Sequence, residues 1–422
     1  MACGAAQAAA PDQASTKVRL TADTPKTTAL GNTFIAPAGW SVEVRGPATI
    51  VEAPEGDSRI VIVDVRAKDA DAAVAAGWAA YQPPKWPLQV VNDVPDKDGW
   101  SKQRNYNYQT SPNERRNVGV GVQFANDVWT VVIYDMAQAV GEKRGAQVAL
   151  IFDKLLPKGY SRETFAGRKA QKLDAARIVK LTKFISDAQK ATGVPGVSFG
   201  VVQDGKVVFS GGLGPRELGS SATVDGDTMY MIASNTKGLT TLLLAKLVDA
   251  GKVTWKTPVT QVLPQFKLGN ADTTKRTLVE HLICACTGLP RQDMEWLFEG
   301  ERFTPESAMA SLATMQPTSK FGELFQYSNP MAAAAGYAGG HVVHPDSELG
   351  AGYDAAMQSL VFDPLGMRAT TFDYAAALAG NHAAPHGLDS NAHTVVASRD
   401  VPKPRKKSAS AVSCESSPFD PP

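Results

Sequence analysis

The stretch VGVGVQFANDVWTVVIYDMA, residues 118–137, leaves this chain few folds to choose from. Two runs rich in valine, isoleucine and aromatic residues flank Asn126-Asp127, a dipeptide that tolerates the backbone of a tight turn. They read as two strands joined in a hairpin. Further short apolar segments precede them, TFIAPAGWSVEV (33–44) and RIVIVDVRA (59–67). Helix-like stretches stand at DADAAVAAGWAAY (69–81) and AQAVGEKRGAQVALIFDKLL (137–156). Residues 17–156 are therefore expected to form an α+β domain on a mostly antiparallel sheet. Its charged residues are scattered and no catalytic cluster stands out, so it reads as an accessory or binding domain.

At 422 residues the chain is long enough for two domains, each with a sizeable core. Its formal net charge of +1 gives no argument for a nucleic-acid partner. No apolar run approaches the roughly 20 residues of a membrane span. The start, MACGAAQAAAPDQAS, reads either as the remnant of a secretory signal or as a disordered Ala-rich segment spanning residues 1–16. Met1-Ala2-Cys3-Gly4 also resembles the end of a bacterial lipoprotein signal, which would allow a lipid anchor through Cys3. The expected location is periplasmic or secreted.

The second half has a different rhythm. PKGYSRETFAGRKA (157–170) is a polar linker. LDAARIVKLTKFISDAQKATG then places Ile178, Leu181, Ile185 and Ala188 on one helical stripe that stops at Gly193. GVSFGVVQDGKVVFSGGLG (196–214) is two apolar strands around Asp204-Gly205, a strong hairpin signal. Next comes MIASNTKGLTTLLLAKLVDAG, where Leu239, Leu242, Leu243, Leu247 and Val248 form an apolar helix face and Ser234 sits at an N-cap or first-turn position. From 252 to about 375 the chain reads as helical pieces and turns. From Val401 it is Pro-, Ser- and Lys-rich without periodicity, so residues 401–422 are expected to be disordered.

Ser234 and Lys237 are three apart, hence on one face of a helix. A lysine one turn after a serine can bring its amine to the hydroxyl, and a lysine held in a cleft gives up part of its preference for the charged form. The helix N-terminus favours a developing alkoxide. The plain alternative is a capping serine and a solvated lysine, and about one Ser-x-x-Lys is expected by chance in a chain of this length. Tyr327-Ser328-Asn329 adds a tyrosine able to relay a proton between lysine, serine and leaving group, and an asparagine able to hold Lys237 and donate to a substrate carbonyl.

With these segments the chain resembles the serine β-lactamase and penicillin-binding-protein superfamily, most of all its class C and esterase-like branch. The matching residues are Ser234-Asn235-Thr236-Lys237, Tyr327-Ser328-Asn329, and the flanking MYMIASNTKGLTTLLLAKLVDAGKV, TLVEHLICACTGLP and LVFDPLGMRATTF. The resemblance covers roughly residues 170–400. It departs from the family at Cys284-Ala285-Cys286, where Thr-His-Thr is often found. It implies an α/β domain around an antiparallel sheet with a helical subdomain inserted after the nucleophile helix. The implied reaction is acyl transfer. Ser234 would be the nucleophile, Lys237 and Tyr327 would manage protons, and Asn329 would bind substrate. The backbone N–H of Ser234 would be half of an oxyanion hole. No cofactor is implied, and the partner is a small-molecule or peptide substrate.

The family's third motif, Lys-Thr-Gly or His-x-Gly on a late strand, is not found. None of His281, His341, His344, His382, His386 and His393 begins a His-x-Gly. The expectation is thus an incomplete β-lactamase-like domain over residues 171–400, truncated at its C-terminus. Only the hairpin at 196–212 would represent its main sheet. A sheet edge and a helix face would stand uncovered, with impaired activity and poor stability. The runner-up to the hydrolase is a non-catalytic cell-envelope binding protein that retains the fold; a metal-dependent hydrolase has little behind it, because the histidines are scattered and only His341 and His344 are close, three apart and expected on an exposed helix end. Cys284 and Cys286 are expected to be two buried small side chains, because a spacing of two is too short for easy disulfide geometry and the nearby ligands suit a metal poorly.

Overall fold

The structure is a computed structural model and describes residues 17–82, 86–293, 303–388 and 394–396. The expectations for 1–16, for Cys3, for His393 and for the 401–422 tail lie outside these residues. The chain divides into two compact units, Met1–Phe165 and Ala166–Pro422.

The first unit holds β1 (Val18–Arg19), β2 (Thr24–Thr27), β3 (Thr33–Ala36), β4 (Ser41–Arg45), β5 (Ala48–Glu52), β6 (Arg59–Val65), α1 (Ala70–Tyr81), β7 (Leu88–Val94), β8 (Ser101–Tyr108), β9 (Arg116–Ala125), β10 (Val128–Ala137) and α2 (Gln138–Lys154). Eight strands form one sheet in the order β1-β4-β5-β6-β10-β9-β8-β7, every neighbouring pair antiparallel. Asn126 and Asp127 both have positive φ, 51° and 57°, which turns β9 into β10 in two residues. Strand alternation sends Ile60, Ile62 and Val132 into a core with Val148 and Ile151 of α2. It sends Val61, Val63, Val131 and Ile133 into the opposite core with Val74 and Trp78 of α1. The sheet is thus covered on both faces, which explains why RIVIVDV and VWTVVIYDM read as unbroken apolar runs rather than alternating ones. The polar stretch 157–170 is not loose along its whole length, because Arg162 pairs with Asp98 at 2.7 Å and with Asp153 at 3.0 Å.

The second unit begins with α3 (Ala175–Thr192), capped by the Asp174 side chain and ended by Gly193 at φ 68°. The stripe expected to be buried is only half-buried at Ile178, Leu181 and Ile185, and Ala188 is exposed. Phe184 and Val179 stand 69% exposed on the same helix. Strands β11 (Val197–Gln203) and β12 (Lys206–Leu213) pair as the expected hairpin around Asp204-Gly205. Helical elements follow: α4 (Asn235–Asp249), α5 (Val259–Val262), α6 (Ala271–Arg276), α7 (Pro305–Leu312), α8 (Asn329–Val343), α9 (Leu349–Met357), α10 (Asp363–Leu365) and α11 (Tyr374–Ala379). A π-helical turn, Gln358–Phe362, links α9 to α10.

A second small antiparallel sheet, β13 (His386–Leu388) with β14 (Thr394–Val396), was not expected. The short runs HGL and TVV carry too little pattern to mark strands. The hairpin at 196–212 is therefore not alone.

One core joins α4, α5, α7, α8 and α9, with Leu243, Leu244 and Leu247 of α4 against Met331, Ala334, Ala335 and Ala338 of α8 and Tyr353 of α9. Glycines set the approach of these helices. A Cβ at Gly340 of α8 would lie 2.5 Å from the Tyr353 backbone nitrogen, and one at Gly339 would lie 3.0 Å from Leu243. His341 and His344, expected on an exposed helix end, are half-buried at the end of α8 because α9 packs back against that end. Among the described residues no group of three or more metal-ligating side chains forms, and no helix is long and apolar enough to cross a membrane.

Candidate active site

Ser234 occupies the N-cap position of α4 but makes no capping bond with its side chain. Ala233 before it sits at φ 42°, a left-handed conformation that non-glycine residues rarely adopt. The Ser234 hydroxyl is exposed and lies 2.5 Å from Tyr327 Oη. One turn further along α4, Lys237 Nζ donates to Ser234 Oγ at 3.1 Å and to Asn329 Oδ1 at 2.7 Å. The structure therefore brings together all four side chains singled out in the sequence, and the capping alternative for Ser234 does not describe its hydroxyl.

The sequence QYSNP explains how Tyr327 and Asn329 reach the same point. Ser328 caps α8 by accepting from the Met331 N–H at 3.4 Å, and Pro330 fits the first turn, where its missing N–H has no helical partner to lose. Asn329 thus starts the helix while Tyr327 stays on the extended approach. Gln326, buried, anchors that approach. Its backbone N–H donates to the Ala285 carbonyl at 2.7 Å, and its amide accepts from Ser319 Oγ at 2.5 Å and donates to Thr318 Oγ1 at 2.9 Å.

Ala285 belongs to the segment where Cys284 and Cys286 were expected as separate buried thiols. They are instead joined in a disulfide, and both residues are only half-buried. The reason is Ala285 itself: at φ 51° it folds the tripeptide back and leaves the two Cα atoms 5.2 Å apart, within bridging range. The folded-back loop also accepts from the Gly322 N–H through the Cys286 carbonyl at 2.8 Å. Gly288, at φ 81°, is required two residues on, since a Cβ there would lie 2.4 Å from the Ser319 carbonyl oxygen.

Two residues of the site were missed in the sequence, Arg291 and Asp293. Asn329 Nδ2 donates to Asp293 Oδ1 at 2.7 Å, and Arg291 Nε donates to Asp293 Oδ2 at 2.5 Å. The Arg291 guanidinium lies 5.1 Å from the centre of the Tyr327 ring and Lys237 Nζ lies 4.6 Å from it, so two basic side chains address one phenol. The available signal was a charged pair, Arg-x-Asp, directly after the TGLP turn. Chemically, the cluster offers an exposed hydroxyl with an amine and a phenol in hydrogen-bond contact, which is what a serine nucleophile with its proton acceptors requires.

The family model described as Beta-lactamase matches residues 181–412. The unguisins hydrolase ungD of Aspergillus violaceofuscus is 28% identical over 203 residues, covering 46% of this chain and 35% of that protein. Protein flp of Staphylococcus aureus strain N315 is 26% identical over 151 residues, covering 36% of this chain and 30% of that protein. The chain thus spans about a third of the length of these curated relatives. Among solved structures, the octameric penicillin-binding protein homologue from Pyrococcus abyssi is 26% identical over 52% of this chain and 50% of that one, with a TM-score of 0.44. EstCE1, a hydrolase with promiscuous acyltransferase activity, is 20% identical over 52% and 59%, with a TM-score of 0.43. The family match alone takes in more than half of the residues, and on that ground the chain belongs to the Beta-lactamase family.

Proposed function

We propose that the chain is a serine hydrolase that works through an acyl-enzyme, with Ser234 as nucleophile, Lys237 and Tyr327 as its proton acceptors and Asn329 holding Lys237 toward the substrate. The observation that carries this reading is the contact of Ser234 Oγ with both Tyr327 Oη and Lys237 Nζ. Ser234 Oγ attacks a carbonyl carbon and its proton passes to the Lys237–Tyr327 pair. The tetrahedral oxyanion takes a hydrogen bond from the Ser234 backbone N–H at the start of α4. Tyr327 then delivers the proton to the departing oxygen or nitrogen. Water, activated by the same pair, releases the acyl group and restores Ser234. An ester, a β-lactam and a D-amino-acid amide all meet this chemistry. The disulfide at Cys284–Cys286 favours an oxidising compartment, as a periplasmic or secreted location would provide.

The test is to treat purified protein with a fluorophosphonate and with a penicillin probe, locate the adduct by peptide mass spectrometry, and measure hydrolysis of nitrocefin, a p-nitrophenyl ester and a D-Ala-D-Ala peptide beside Ser234→Ala. An adduct on Ser234 and hydrolysis lost in the variant are expected. Hydrolysis that persists in Ser234→Ala removes the nucleophile. Neither adduct nor hydrolysis with all probes turns the reading to the non-catalytic binding protein.

A further inference from the structure

We propose that Asp293, gripped by Arg291, is a positioning residue that fixes which end of the Asn329 amide faces Lys237; this rests on the reading of Ser234 as nucleophile. An ionised carboxylate can only accept hydrogen bonds. Arg291 can only donate, and it takes Oδ2 of Asp293 at 2.5 Å. The other oxygen, Oδ1, meets Asn329 at 2.7 Å, so Asn329 must present its NH2 there. Its carbonyl oxygen is then left to face Lys237 Nζ, 2.7 Å away. The order donor, acceptor, donor, acceptor, donor runs unbroken from Arg291 through Asp293 and Asn329 to Lys237, and Lys237 continues it to Ser234 Oγ at 3.1 Å.

The orientation matters because a flipped Asn329 aims N–H groups at the amine. Against an ammonium those groups repel. Against a neutral amine they occupy the lone pair that must receive the serine proton. The Asp293 side chain is 12% exposed, so water replaces its role poorly. Arg291 contributes a second time, because its guanidinium lies over the Tyr327 ring while its Nε holds Asp293.

One substitution would turn the Asn329 amide around. In Asp293→Asn the arginine still demands an acceptor, so the new amide turns its oxygen to Arg291 and its NH2 to Asn329. Asn329 must then answer with its carbonyl and give its NH2 to Lys237. The double variant Arg291→Gln with Asp293→Asn relieves the demand, because glutamine can accept as well as donate, and the original order can be restored.

The experiment measures kcat and KM for p-nitrophenyl acetate, the Ser234 labelling rate with a fluorophosphonate, and the melting temperature, in wild type, D293N and R291Q/D293N. Expected for D293N is a fall of about 10²-fold in kcat and in labelling rate, with KM changed less than about threefold and the melting temperature held. The double variant is expected to regain at least about tenfold over D293N. D293N working at the wild-type rate, or the double variant doing no better than D293N, overturns the proposal. Failure of the nucleophile reading has its own signature, a wild type that is not labelled on Ser234, and overturns both.

Discussion

Tyr327 Oη and Ser234 Oγ are 2.5 Å apart although 93 residues separate them in the chain. The contact is reached from two helix starts, α4 for the serine and the approach to α8 for the tyrosine. Removing only the phenol oxygen should therefore leave the packing intact and break the proposed proton path. Tyr327→Phe is expected to lower kcat for a p-nitrophenyl ester by about 10²-fold or more with little change in KM, measured by steady-state kinetics. A variant at the wild-type rate would exclude Tyr327 from the chemistry.

Lys237 makes a sharper test of proton transfer than of charge. Lys237→Arg keeps a cation near Asn329 but supplies a group that does not give up its proton in proteins. The labelling rate of Ser234 by a fluorophosphonate should fall at least about 10²-fold. Retention of the wild-type rate would mean that charge alone suffices at this position.

Asp354, on α9, has one carboxylate oxygen buried without a hydrogen-bond partner among the described residues. Burial, with the charge of Glu348 adding to it, pushes its carboxyl up to about 7 from the ordinary 3.8. The folded chain therefore keeps a proton that the unfolded chain has already released, and stability falls as pH rises from about 4 to about 7, then levels off. Asp354→Asn should raise stability by about 1–2 kcal/mol at pH 8, allowing for partial exposure, and change it little at pH 4. Thermal denaturation of both proteins at the two pH values checks this; equal shifts at both would remove the titration argument.

Gly340 faces the Tyr353 backbone at 2.5 Å from where a Cβ would stand. Gly340→Ala must push α8 and α9 apart, and an overpacked core of this kind loses about 1–3 kcal/mol. Denaturant unfolding should show a lower midpoint. An unchanged midpoint would mean the two helices separate at little cost.

The disulfide between Cys284 and Cys286 closes a loop of three residues, so its constraint on the unfolded chain is small, about 1–2 kcal/mol in the entropic account. Cys284→Ser with Cys286→Ser should accordingly melt only a few degrees lower. A loss of more than about 10 °C would show that the bridge holds the Ala285–Gln326 contact as well.

The Ser-x-x-Lys pairing was legible because three residues on a helix fix a face, and the hairpins at Asn126-Asp127 and Asp204-Gly205 were legible because the turn residues declare themselves. Tyr327 and Asn329 became readable only through the company of Ser234. Asp293 and Arg291 were not, since they come from a loop after a turn, and nothing periodic says where such a loop will point. The Cys284–Cys286 bridge failed for a related reason. Spacing does not say which way two side chains in a tripeptide point, and here the left-handed Ala285 folds the segment so that the two sulfurs meet. The α3 stripe had the right period, yet periodicity does not say what a face will meet, and Phe184 and Val179 beside it remain exposed.

The glycines of α8 reach further than packing. Lys237 rides on α4 and Asn329 begins α8, and these helices meet where Gly339 lets Leu243 in close. The gap between amine and amide is consequently set nearly three turns along α8 from Asn329, as the opening of a caliper is set at its pivot. A methyl group added at that pivot should register as a slower enzyme before it registers as an unfolded one.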